Sequence, residues 1–270
     1  MILDTHTHFY DTRRDEHYWP PEEAPFPNVC LPEVYREALG SAPVTGTVIV
    51  EASPQLVDNH WILSLCDEDD FLVGFVGNLA HDQENFEAHL RELAAHPKYV
   101  GIRRGKESFE HMDQIRLLKE LDLELDILAD AETFAKIPAA IDELGEIRVV
   151  INHIGMHPVG NGLEADWVAS MEAVKEYPSV YCKVSAMLEL YDGNDISNPA
   201  EYLEMLDFLW ENFGEDRLVF GTNWPVCSPH GSLETIYTIV NTYFAAKGDT
   251  AREKFFYKNA VKAYKLQGLE

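Results

Sequence analysis

The chain has the length, composition and charge of one large acidic globular domain. Its 270 residues are 46% hydrophobic and 25% charged, which excludes disorder as the general state. The 47 Asp and Glu residues against 21 Lys and Arg residues give a net charge of −26, which argues against nucleic-acid and membrane-surface partners. A (β/α)8 barrel, which typically needs about 250 residues, fits this length as a single domain over residues 1–270.

The apolar runs and the cysteines of the sequence indicate where in the cell the protein is expected. No apolar run approaches the ~20 residues that cross a bilayer, and the start MILDTHTH has neither a basic nor an apolar leader segment. We therefore expect a cytoplasmic protein with a small-molecule substrate, and a homo-oligomer is compatible with the sequence. The cysteines are scattered without a CxxC pair, so we expect reduced thiols. They are Cys30, Cys66, Cys182 and Cys227.

Short β-rich runs alternate eight times with longer segments of helical spacing. This alternation predicts parallel βαβ units, and eight strands close a barrel. The predicted strands cover residues 2–8, 47–52, 71–78, 99–104, 123–128, 148–154, 180–186 and 217–223. The predicted helices cover residues 55–66, 83–95, 111–120, 131–144, 164–176, 199–212, 232–246 and 249–265. We therefore predict an α/β protein with a (β/α)8 TIM barrel.

One proline-rich segment, residues 9–32, interrupts the alternation directly after the first strand. It is too long and irregular for an ordinary connection, and it carries the aromatic residues Tyr18, Trp19 and Phe26. In a barrel this segment either covers the catalytic face or wraps the barrel wall, and the sequence leaves both alternatives open. In the first alternative, Trp19 is a candidate substrate-binding residue.

Polar residues recur near the predicted carboxyl ends of the strands, where barrel active sites are built. His6 and His8 form an HxH pattern, which brings two imidazoles to one metal ion or one oxyanion. Because strand side chains alternate in direction, Val48 and Val50 are predicted to face the helices. Glu51 then faces the interior at the end of strand two.

The same alternation places further polar residues at the opening of the predicted barrel formed by the carboxyl ends of the strands, which we call its mouth. It turns Arg103 inward on strand four and Glu124 and Asp126 inward on strand five. Strands six, seven and eight contribute His153, Lys183 and Asn223. As an alternative, the acidic residues, Glu51 among them, are structural partners of Arg103 and Lys183 in a buried ion-pair network.

Five segments at successive strand ends together carry a family resemblance. They are DTHTHFYD (4–11), GIRRG (101–105), INHIGMHP (151–158), YCKVSA (181–186) and FGTNWPVC (220–227). In this combination the chain resembles the amidohydrolase-2 branch of the amidohydrolase superfamily, and within it the sugar lactonases and 2-pyrone-4,6-dicarboxylate lactonases. The resemblance implies a distorted (β/α)8 barrel of the metal-dependent-hydrolase type that hydrolyses lactones, with metal needed in some members and dispensable in others.

The resemblance also implies roles for individual residues. His6, His8, His153 and Arg103 would bind and polarise the substrate or, in part, a metal, and Lys183 occupies the strand-seven position of the family motif. The family commonly has Asp after strand eight, where it is expected to take a proton from the attacking water. This chain has Asn223 there, and an amide cannot act as a base near neutral pH.

A metal-assisted mechanism therefore suits the sequence best. We expect a divalent metal, zinc or manganese, on His6 and His8, assisted by Glu51 or His153, because such an ion lowers the pKa of bound water towards neutrality.

Other residues at the mouth complete this expected mechanism. His153 or Asp126 then carries the proton, Arg103 and Lys183 hold the carbonyl oxygen or a substrate carboxylate, and Asn223 orients. Two alternatives remain open: a small-molecule-binding barrel that has lost the chemistry, which Asn223 supports, and a metal-dependent decarboxylase of the same superfamily, which shares the HxH pattern.

Overall fold

Eight parallel strands lie side by side in chain order in the computed structural model, which describes residues 1–21 and 23–269. They are β1 (Leu3–Thr7), β2 (Gly46–Val50), β3 (Leu72–Gly77), β4 (Tyr99–Arg104), β5 (Glu124–Ile127), β6 (Val149–Ile151), β7 (Val180–Val184) and β8 (Leu218–Phe220). Each strand pairs in parallel with the next one along the chain. The predicted (β/α)8 barrel is confirmed.

The helices follow the strands and pack their buried faces against them. They are α1 (Pro32–Ala38), α2 (Leu56–Glu68), α3 (Phe86–Ala94), α4 (Met112–Glu120), α5 (Ala131–Phe134), α6 (Ile137–Leu144), α7 (Ala165–Val174), α8 (Leu203–Phe213), α9 (Leu233–Ala246), α10 (Asp249–Glu253) and α11 (Asn259–Tyr264), with a π-helical turn at Lys254–Lys258 and 3₁₀ turns at Lys106–Glu110, His153–Met156 and Pro199–Tyr202. Within the described ranges, no helix has both the length and the apolar character needed to cross a membrane.

Two helix predictions differ most from the structure. Helix α1 was not predicted, although Pro32 at its first position is preorganised for a helix start. The helix predicted over residues 131–144 is two short helices, because the chain turns at Lys136 before α6 begins at Ile137 with Pro138 in its first turn. Smaller differences are a 3₁₀ turn at the start of the helix predicted over residues 199–212 and a π-helical turn within the helix predicted over residues 249–265. None of these differences alters the strands that position the polar residues.

The last residues of the chain fill the interior of the barrel at the amino-terminal end of its strands. Tyr264 and Leu266 pack there with Val48 and Val50, whereas Ile49 belongs to the core on the helix side. The prediction that the two valines face the helices was wrong. Alternation within β2 is regular, but Val48 and Val50 take the interior side and Ile49 the helix side, the opposite phase to the one expected. Strand β2 ends at Val50, so alternation no longer dictates the direction of the residue that follows.

Strands β1 and β8 close the barrel through hydrogen bonds that continue beyond the end of β8. The backbone N–H of Asn223 donates to the carbonyl of His6 at 2.9 Å, and that of His8 donates to the carbonyl of Trp224 at 2.8 Å. The buried carboxylate of Asp4 accepts from the backbone N–H of Thr222 at 2.9 Å. This closure brings the HxH pair next to the asparagine after β8.

Candidate active site

The two histidines of β1 are joined by one hydrogen bond of defined direction. Their Nε2 atoms lie 3.2 Å apart. His8 Nδ1 donates to the carbonyl oxygens of Val50 and Glu51, both at 3.0 Å, so its Nε2 is an acceptor. The ammonium of Lys183 donates to His6 Nδ1 at 3.3 Å, which leaves the hydrogen of His6 on Nε2. The network therefore fixes both tautomers, and His6 donates to His8.

Burial keeps the histidines of this site neutral. It lowers the pKa of His8 to about 3, and the nearby Arg103 guanidinium adds to the effect. Burial also lowers the pKa of His6 and of His153 well below the ordinary value, with neighbouring histidine and cationic side chains contributing. Neutral imidazoles are the form that accepts hydrogen bonds and binds metal ions.

An ion pair lies beneath the histidines. Lys183 Nζ lies 2.7 Å from Asp126 Oδ2, and both side chains are fully buried. Tyr264 donates to the other oxygen of Asp126 at 3.1 Å. Burial and the adjacent Asp126 carboxylate raise the pKa of Glu124 well above its ordinary value. The inward direction of these strand residues matches the prediction, and the lysine and aspartate pair with each other below the mouth.

A second ion pair holds an arginine at the mouth itself. Arg103 Nε donates to Glu51 Oε1 at 2.8 Å, and its Nη2 lies 2.6 Å from the same oxygen. Glu51 is thus engaged with the arginine rather than with the histidines of β1. Among the residues that the structure describes, no three His, Cys, Asp or Glu side chains converge as a ready metal site.

A cavity of about 370 Å³ opens at the carboxyl ends of the strands, a size typical of small-molecule sites. Its polar lining consists of His8, Glu51, Arg103, His153, Glu189 and Asn223. The structure thus brings most of the sequence-predicted site residues to one space. Other predicted residues, His6, Asp126 and Lys183, do not line this cavity and instead form the layer beneath it.

Two of the lining residues reach the cavity from turns rather than from strands. The predicted strands over residues 148–154 and 217–223 end earlier, at Ile151 and Phe220. His153 and Asn223 follow with φ values of 51° and 64°, a left-handed conformation that asparagine tolerates better than most residues. His153 Nδ1 lies 2.8 Å from the hydroxyl of Ser185, which fixes its ring.

The segment after β1 covers this cavity. The ring of Trp19 lies 5.3 Å from the ring of His8, and Trp19 lines the cavity. Arg14 anchors the segment to α2, through a 2.5 Å ion pair with Asp58 and a position 4.0 Å above the ring of Trp61. Of the two alternatives for residues 9–32, the structure favours a cover over the catalytic face, apart from residue 22, which lies outside the described residues.

Among these polar lining residues, Glu189 is the one that the sequence pattern did not predict. It lies in the loop after β7, where strand alternation gives no guidance, and its Oε1 accepts a 2.7 Å hydrogen bond from Asn223 Nδ2. Burial raises the pKa of Glu189 to about 7. The signal in the sequence is a single acidic residue within the apolar run AMLEL that follows the strand-seven motif.

Relatives and solved structures resemble the chain over most of its length. The L-fucono-1,5-lactonase of Burkholderia ambifaria is 25% identical over 242 residues, which cover 83% of this chain and 80% of that protein. An amidohydrolase from Burkholderia multivorans, crystallised with bound zinc, is 21% identical with a TM-score of 0.82 over 98% of this chain and 99% of its own.

A more distant structure shares the same fold. The dihydroxybenzoic acid decarboxylase of Polaromonas sp. JS666, crystallised with manganese and an inhibitor, is 12% identical with a TM-score of 0.65 over 98% of this chain and 96% of its own. Divalent metals thus occur in proteins of this fold. A sequence profile of the amidohydrolase family matches residues 3–266, which is nearly the whole chain. The chain therefore belongs to the amidohydrolase family, as its motifs indicated.

Proposed function

We propose that the chain is a lactonase, which opens a lactone ring with water to give a hydroxy acid. The observation that carries this proposal is the covered cavity at the barrel mouth, where His8, Arg103 and His153 face one space of about 370 Å³. A small sugar lactone fits a cavity of that size. The similarity to an L-fucono-1,5-lactonase supports this substrate class.

Arg103 is suited to stabilise the oxyanion that forms when water attacks the lactone carbonyl. Its Nε and Nη2 atoms bind Glu51, which fixes the plane of the guanidinium. Nη1 has no hydrogen-bond partner in the described part of the chain, so it remains available to a substrate oxygen. A preorganised cationic donor of this kind gains strength as negative charge develops.

The buried layer holds the histidines in place. We propose that Lys183 and Asp126 act on the substrate through His6 rather than by contact, because neither lines the cavity. His153, fixed by Ser185, presents a neutral imidazole that hydrogen-bonds the substrate. These roles refine the assignments expected from the sequence.

The HxH pair fits a divalent metal such as zinc or manganese as two of its ligands. The 3.2 Å between the Nε2 atoms of His6 and His8 lies within the roughly 3.0–3.4 Å expected for two nitrogens about 2.1 Å from one ion. Such an ion, when bound, lowers the pKa of water and polarises a carbonyl. Binding through His6 Nε2 would require its hydrogen to move to Nδ1, so Lys183 would have to give up its hydrogen bond to that nitrogen. Because Glu51 is engaged with an arginine, His153 would be the better third ligand, and its free ring nitrogen would then bind the ion instead of the substrate.

The proposal extends to the cellular location of the protein and to its binding partner. Within the described residues the four cysteines are free and buried, which suits a reducing compartment, and we propose a cytoplasmic location. The substrate is a small molecule that enters beneath Trp19.

A pH-indicator assay with a panel of aldonolactones, including L-fucono-1,5-lactone, tests the proposed function. The wild type should release acid faster than buffer, and Arg103→Gln should lower kcat/KM by about 10²–10³-fold through the lost oxyanion donor. The matched control Arg116→Gln, on the exposed side of α4, should keep wild-type rates. Binding without turnover would instead support a barrel that has lost the chemistry, and release of carbon dioxide from aromatic acids would support a decarboxylase.

A further inference from the structure

We propose that Glu189 is the general base of this site, in place of the carboxylate that the family motif has where this chain has Asn223. The inference rests on the proposed lactone hydrolysis. Asn223 Nδ2 donates to Glu189 Oε1 at 2.7 Å, so the residue at the motif position holds a carboxylate instead of being one. Compared with the family motif, the carboxylate in this chain lies in the loop after β7 instead of the turn after β8.

In the described part of the chain, the second carboxylate oxygen of Glu189 is an acceptor without a partner at the wall of the cavity. Glu189 lines the same cavity as His8, Arg103 and His153, where the substrate carbonyl would lie. Its Oε2 is buried and has no hydrogen-bond partner among the described residues. A buried acceptor without a partner is costly, and a water or substrate hydroxyl in the cavity would satisfy it.

Other carboxylates near the mouth are already engaged. Glu51 is paired with Arg103, and Asp126 is paired with Lys183 below the cavity. Glu189 forms no ion pair with any described residue, and burial raises its pKa to about 7. A base with a pKa near the working pH combines a useful ionised fraction with a strong tendency to take a proton.

Asn223 and Glu189 suit each other as hydrogen-bond donor and acceptor. An aspartate at position 223 in the same conformation would place two carboxylates within hydrogen-bond distance, and two such groups cannot both ionise. An amide donates a hydrogen bond instead, which leaves the charge on Glu189. Asn223 is therefore a positioning residue, and its left-handed φ of 64° suits this residue type.

The proposed step balances in atoms and charge. Glu189 Oε2 takes a proton from water while the water oxygen forms a bond to the lactone carbonyl carbon, and the carbonyl π electrons move to its oxygen beside Arg103. The tetrahedral intermediate then re-forms the carbonyl and breaks the ring C–O bond. The proton held by Glu189 passes to the departing ring oxygen, which becomes the hydroxyl of the product acid.

Moving the carboxylate back to the motif position tests the proposal. Glu189→Gln keeps an oxygen to accept from Asn223 but removes the base, so kcat should fall about 10²–10⁴-fold with KM nearly unchanged. In the double variant Glu189→Gln with Asn223→Asp, the pair is reversed, and kcat should recover at least about tenfold relative to the single variant. The acid limb of its pH profile should move to lower pH, because the base is now an aspartate, whose ordinary pKa is lower than that of a glutamate.

The outcomes separate this proposal from the proposed function. A wild type that hydrolyses lactones, with Glu189→Gln keeping its rate and pH profile, would overturn the general base alone. The same holds if the folded double variant is no faster than the single one. A wild type that hydrolyses no lactone would overturn the proposed function and with it this role. The control Glu204→Gln, exposed on α8, should keep the wild-type kcat and pH profile.

Discussion

The ammonium of Lys183 lies 2.7 Å from the carboxylate of Asp126, and both side chains are completely excluded from solvent. The pair joins β7 to β5 inside the barrel, and the same ammonium donates to His6. A buried charge without its partner carries a large desolvation penalty. The orientation of the first histidine therefore depends on an ion pair that substrate does not reach.

Breaking this pair should destabilise the protein. We expect Asp126→Asn to lower the free energy of unfolding by about 3–5 kcal/mol, because Lys183 is left as an unpaired buried charge. Urea denaturation measures the change. The control Lys258→Met removes an exposed ion pair with Glu253 and should cost under about 1 kcal/mol. An Asp126→Asn variant as stable as the control would show that Lys183 does not depend on this partner.

Trp19 should matter for kinetics more than for stability. Trp19→Ala removes the ring beside His8 that covers the cavity, so we expect KM to rise or kcat to fall with a small change in Tm. Trp210→Ala is a matched control, because that half-buried ring packs on the outer helices near Phe244. It should lower Tm and leave the kinetics unchanged. The reverse pattern would assign Trp19 to the barrel wall.

The sequence predicts the barrel better than it predicts the site. Eight apolar runs identify the eight barrel strands, but not the short antiparallel pair Tyr10–Asp11 and Val29–Cys30. Alternation correctly turns Arg103 and Asp126 inward, because both lie within regular strands. It gives the wrong side for Val48, because alternation tells which residues share a face but not which face turns inward.

The site depends on contacts that no periodicity encodes. Glu189 lies in a loop and meets Asn223 across 34 positions of the chain. The engagement of Glu51 with Arg103 spans 52 positions and likewise cannot be derived from local pattern.

The HxH pair should bind a divalent metal. After equilibration with zinc or manganese and removal of excess ion, mass spectrometry should find about one ion per chain, and Tm should rise because the ion binds the folded state. His8→Ala should abolish both effects, since it removes one of two Nε2 atoms 3.2 Å apart. His60→Ala, at an exposed position on α2, serves as the control. Wild-type protein that neither retains metal nor changes its Tm would refute the metal site.

Glu189 should make stability depend on pH. Its folded pKa of about 7 exceeds its ordinary value of 4.5, so the folded state retains a proton that the unfolded chain releases between these values. The contribution of Glu189 to the free energy of unfolding is therefore fully present below about pH 4.5 and is lost as the pH rises to about 7. We expect Glu189→Gln to exceed the wild type by about 1–3 kcal/mol at pH 8 and by little at pH 4, in urea denaturation at both values. A difference independent of pH would contradict the raised pKa.

Ring opening in ¹⁸O-labelled water tests the central claim of lactone hydrolysis most directly. Wild-type protein with L-fucono-1,5-lactone or another aldonolactone should give the hydroxy acid faster than buffer, with one ¹⁸O atom in the new carboxyl group, because water attacks the carbonyl carbon in the cavity beside Arg103. Mass spectrometry of the product over time measures both rate and label. Product formation no faster than in buffer across the whole panel, or label in the hydroxyl group instead of the carboxyl group, would contradict the account.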